Sequence, residues 1–97
     1  MKISAAQSKS DKGNIKSNIE NHKKWIYIAV SEKVDLIIFP ELSLTGYEPA
    51  LAEELSTVQN DPGLDEFQKI NDLKSITIIV GLPTKSESGI LISMVIF

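Results

Sequence analysis

Hydrophobic positions along the chain fall into two rhythms. Ile15, Ile19, His22, Ile26, Ala29 and Lys33 recur at alternating spacings of four and three, with Trp25 and Val30 widening the stripe. That spacing is one face of a helix, with Asn14 as its N-cap. Asn18, Glu20, Lys23, Lys24 and Glu32 fall on the side assigned to water. Leu64, Phe67, Ile70 and Leu73 mark a second helix at spacing three, opened by Asp61 as N-cap and Pro62 as first helical residue. Strands are expected elsewhere: residues 3–7, 34–39, 76–80 and 90–97. Leu36-Ile37-Ile38-Phe39 is apolar without alternation, the signature of a strand buried on both faces in a parallel sheet. Pro40 ends that strand, and Gly81-Leu82-Pro83 ends the third. Residues 8–13 and 84–89 read as polar connections, residues 41–49 as a loop, and residues 50–55 as a short helical turn.

Strand, helix, strand, helix, strand, turn, strand is an α/β order, with the last two strands antiparallel across a short turn. Two helices cover about one face of such a sheet. The segment from Ile90 to Phe97 is almost wholly apolar and calls for cover on both sides. The reading is therefore a sheet completed by a further segment or another chain, marginal in stability and prone to edge association alone.

Composition narrows the chemistry. A net charge of -3 gives no electrostatic reason to expect nucleic acid or an anionic membrane as partner. With no cysteine, the chain holds no disulfide, no thiolate metal site and no sulfur nucleophile of its own. His22 is the single histidine and sits within a helical pattern, so it reads as structural; no metal or cofactor is expected. No apolar run approaches the roughly 20 residues of a membrane span, and the N-terminus lacks the apolar core of a signal peptide. A cytoplasmic protein is the default expectation.

One residue stands out for chemistry. Glu41 follows immediately on the end of a buried strand, where open α/β sheets bind ligands, and Pro40 stiffens its support. Partial burial beside Phe39 and Tyr47 would raise its carboxyl pKa toward neutrality and suit it as a general base. Gly46 permits a turn that brings Tyr47 over the strand end as a substrate-facing candidate. Ser43 and Thr45 read as hydroxyls that stabilise the loop, with no histidine placed to activate them. A receiver-type binding domain is disfavoured, because Gln7-Ser8 stands where its clustered acids belong.

Phe39-Pro40-Glu41-Leu42-Ser43-Leu44-Thr45-Gly46-Tyr47 resembles the first signature of the nitrilase superfamily, the carbon–nitrogen hydrolases. Lys2-Ile3-Ser4-Ala5-Ala6-Gln7 resembles that family's first strand, Asn18-Ile19 with His22 and Ala29 its first helix, and Val80-Gly81-Leu82-Pro83 its strand before the turn. The resemblance implies the N-terminal part of an α-β-β-α sandwich, a mixed sheet covered by helices on one face. It further implies a Glu-Lys-Cys triad hydrolysing amide, nitrile or carbamoyl C–N bonds of a small-molecule substrate. Glu41 matches the general base; no lysine here sits in a matching motif. Residues 1–97 thus read as a partial hydrolase domain that stops before the Lys and Cys motifs, inactive alone, and joined by a complementing C-terminal segment or by further copies of itself. The alternative is a non-catalytic α/β module that self-associates through its apolar sheet face.

Overall fold

A computed structural model of the chain describes residues 1–46 and 62–97. In chain order these form β1 (Ile3–Ala5), α1 (Ile15–Ser31), β2 (Leu36–Ile38), a 3-10 turn (Pro62–Leu64), α2 (Asp65–Lys74), β3 (Thr77–Ser86) and β4 (Gly89–Ile96). The helical turn expected at 50–55 and the Asp61 cap lie outside the described residues. The strands form one mixed sheet in the order β1-β2-β3-β4, parallel through β3 and antiparallel between β3 and β4.

Helix α1 starts where the sequence places its cap: Asn14 Oδ1 accepts the Ser17 N–H at 3.1 Å. Ile19, His22, Ile26 and Ala29 are buried as expected, but so is Asn18, which the pattern assigned to solvent. Trp25 is exposed. Lys33 lies beyond the helix end in a left-handed conformation, φ 59°. In α2, Leu64, Phe67 and Ile70 are buried while Leu73 is 79% exposed. Spacing three slips roughly 60° backward per step on a helix of 3.6 residues per turn, so Leu73 sits about half a turn from Leu64. Lys23 ties the helices together, meeting Glu66 of α2 at 3.1 Å and Glu20 at 3.2 Å. The hydrogen bond it donates to Glu66, followed by that to Glu20, raises its pKa.

Buried helix residues join Ile37, Ile78, Val80, Leu82 and Val95 in one core. The strand partners fix what lies on the other side: Ile3, Leu36, Ile38 and Ile79 share the opposite face with Ile92, Met94 and Ile96. Among the described residues no helix lies over that face, and Ile92 and Ile96 are 58% and 62% exposed. β2 is therefore buried on the helix side only, not on both faces.

β3 also differs from expectation. It runs through Gly81-Leu82-Pro83 to Ser86, and the hairpin turn shrinks to residues 87–88. Ile78 and Phe97 exchange both backbone hydrogen bonds, so in an antiparallel ladder the alternate residues 79, 81 and 83 turn their N–H groups away from β4. Pro83, paired with Ile92, therefore lacks a donor only on the side where β2 has already ended.

Candidate active site

β2 stops at Ile38, and the next residues are held in place rather than left as an open loop. Phe39 N–H still bonds Ile79 O at 2.9 Å. The chain then folds into a tight turn: Ser43 N–H to Pro40 O at 3.1 Å, and Gly46 N–H to Leu42 O at 2.8 Å. Leu42 takes a left-handed φ of 53° to make it. Leu44 N–H then reaches Gly81 O at 2.9 Å, so the turn occupies the lane beside β3 that β2 has left. Gly81 makes that approach possible. A Cβ there would stand 2.5 Å from Leu42 N and 2.6 Å from Pro40 O, closer than real contacts allow.

Polar side chains fasten the turn from the helix side. Asn18 Nδ2 donates to Leu44 O and to Asp11 O, both at 2.8 Å, while its Oδ1 accepts the Asp11 N–H at 2.7 Å. Ser10 Oγ donates to Ser43 O. Gly13 N–H bonds Thr45 O at 2.8 Å, and Thr45 Oγ1 donates to Gly46 O at 3.0 Å. Ser43 Oγ accepts the Gly81 N–H at 3.1 Å and lies 2.8 Å from His22 Nε2. A histidine does stand beside Ser43, contrary to the sequence reading. Yet Ser43 is only 2% exposed and its hydroxyl is spent within the fold. Thr45 and Ser43 are loop-stabilising hydroxyls, as expected.

His22 is 1% exposed, and its ring stacks on Phe39 with centroids 4.0 Å apart. Burial lowers its pKa from 6.5 to about 4, opposed by the hydrogen bond to Asn18 O, so the imidazole is neutral near pH 7.

Glu41 projects from this platform and is exposed. The burial expected from Phe39 does not occur, because Phe39 turns inward to His22 and the core. Among the described residues no hydrogen bond or ion pair engages its carboxylate. Tyr47 lies outside the described residues. The buried polar set of Asn18, His22 and Ser43 went unread as a unit in the sequence. Its one signal was a polar pair, Asn18 and His22, four apart on an otherwise apolar helix face.

A family model for carbon–nitrogen hydrolases matches residues 2–97. The chain belongs to that family. A glutamine-dependent NAD(+) synthetase from Acinetobacter baylyi is 36% identical over 88 residues, covering 91% of this chain and 16% of the relative. Among solved structures, a glutamine-dependent NAD+ synthetase from Acinetobacter baumannii superposes with a TM-score of 0.70 at 32% identity, over 98% of this chain and 18% of that one. An N-terminal amidase superposes with a TM-score of 0.76 at 21% identity, over 97% of this chain and 24% of that one, which is a likeness of fold. This carbon–nitrogen hydrolase segment thus spans about a quarter or less of these relatives' length, and its helix-backed mixed sheet is the N-terminal α/β part of their fold. No helix among the described residues is long and apolar enough to cross a membrane.

Proposed function

We propose that this chain supplies the general base of a carbon–nitrogen hydrolase, and that Glu41 is that base. The observation that supports it is the fixed turn at the carboxyl end of β2. It aims a free carboxylate outward from a support pinned on both sides by α1 and β3. In the reaction, Glu41 takes the proton of a cysteine thiol as sulfur attacks the substrate carbon, then passes it to the departing nitrogen. In the second half it draws a proton from water, which cleaves the thioester. The lysine that steadies the oxyanion and the cysteine come from a segment other than residues 1–97. That segment also supplies the surface that shields Glu41 from bulk water.

A carboxamide is the favoured substrate class over a nitrile or carbamoyl group, since two relatives above 30% identity are glutamine-dependent synthetases and glutamine carries a carboxamide. Tyr47, from the same motif, is proposed as the substrate-facing residue. The decisive experiment supplies the chain with a lysine- and cysteine-bearing remainder and follows ammonia release from small carboxamides. Glu41→Gln is expected to lower the rate by about a thousandfold with the fold intact by circular dichroism. A Glu41→Gln variant as fast as the parent would remove the reading.

The open face around Ile92, Met94 and Ile96 favours a second reading, self-association through the sheet. A stable oligomer of the chain in sedimentation, with no hydrolysis alongside any remainder, would support it over the first.

A further inference from the structure

We propose that His22 and Ser43 are positioning residues for the Glu41 turn, an assignment that rests on the reading of Glu41 as general base. Where β2 ends, the Gly81 N–H points into an emptied lane and needs an acceptor in a buried place. Ser43 Oγ provides it, at 3.1 Å. The Ser43 proton then needs an acceptor of its own. His22 Nε2 provides that, at 2.8 Å. His22 can accept there only as the tautomer protonated at Nδ1, and Asn18 O, 2.7 Å from Nδ1, fixes that tautomer. Every link points one way: Gly81 N–H to Ser43, Ser43 O–H to His22, His22 Nδ1–H to Asn18 O.

The same imidazole also stacks on Phe39. Phe39 lies two residues before Glu41 and Ser43 two residues after it. One rigid ring on α1 therefore grips both sides of the Pro40-Glu41 step. A serine beside a histidine elsewhere suggests a nucleophile. Here the pair is buried and Ser43 Oγ already holds an amide, so it sets backbone position and does not touch substrate.

The test uses Ser43→Ala, His22→Leu and His22→Gln. Leucine keeps the packing on Phe39 but offers no acceptor; glutamine restores one to Ser43. In the chain, amide exchange at Gly81 and Leu44 is expected to quicken about tenfold in Ser43→Ala and His22→Leu, while Ile78, bonded to Phe97, stays within about twofold. Uniform quickening at all three amides, or none, overturns the assignment. Should His22→Leu fail to fold, Ser43→Ala gives the same readout. In the completed hydrolase, both variants are expected to lose about tenfold in kcat with KM within about twofold, and His22→Gln to recover most of it. An unchanged kcat in Ser43→Ala, in an assay where Glu41→Gln is inactive, refutes positioning alone. A fully active Glu41→Gln refutes the general-base reading instead, and the positioning role with it.

Discussion

The turn at residues 40–46 and the outer face of β4 lie at opposite sides of one sheet and are built on opposite principles. The turn is dense with polar groups, and nearly each of them has a partner within this chain: Asn18, Ser43, His22, Gly81. The outer face carries almost no polar group, and its isoleucines and methionine stand in solvent. One region is locally self-sufficient; the other leaves its side chains, and the outward half of an edge strand's backbone, without partners among the described residues. Hydrogen-bonded geometry can be completed by a few near neighbours, whereas burying a broad apolar face takes a second layer.

The sharpest way to break the turn is from β3. Gly81→Val is expected to cost roughly 3 kcal/mol or more in denaturant unfolding, because the new side chain meets the backbone of Pro40 and Leu42. Loss of stability below about 1 kcal/mol would mean the turn is not held against β3. Asn18→Leu comes next, at about 2 kcal/mol, since Leu44 O, Asp11 O and the Asp11 N–H all lose a partner.

Acid should loosen the same region. His22 is neutral when folded, with a pKa of about 4, and titrates near 6.5 when unfolded. The unfolded chain therefore binds more protons between those values. The contribution is intact above pH 6.5 and is lost as pH falls toward about 4. Between pH of about 7.5 and about 5 the loss should reach about 2 kcal/mol by thermal or urea melts. His22→Leu should flatten that slope. If the slope is unchanged in His22→Leu, the titrating group is elsewhere.

The smallest effect belongs to the outer face. Ile96→Lys should change the chain's stability by no more than about 0.5 kcal/mol and reduce its tendency to associate. A large loss there would show that the face is covered in solution, and would erase the contrast with the turn.

The parts that sequence reading captured are those governed by local periodicity. Asn14 as cap, the buried stripe of α1, and three parallel strands followed by an antiparallel one all follow from spacing and short connections. What it misread depends on neighbours distant in the chain. Gly81 and Pro83 look like strand breakers, yet β3 continues through them, since the lane beside them holds a turn rather than a strand. Asn18 looks like a solvent-facing residue until Leu44, 26 positions away, presents a carbonyl to it. Glu41 was legible as the singular residue of the motif, but its exposure was not, because Phe39 beside it spends its ring on His22. The family signature reads more clearly than the geometry because it lies within nine consecutive residues.

Pro83 carries a consequence for folding fidelity. Were β2 to slide along β3 toward the hairpin, it would arrive opposite a residue with no amide proton to share. The proline acts as a buffer stop on the rail: the shifted alignment forfeits a ladder bond, which favours the observed register, in which the chain leaves the sheet after Phe39 and presents its acid there.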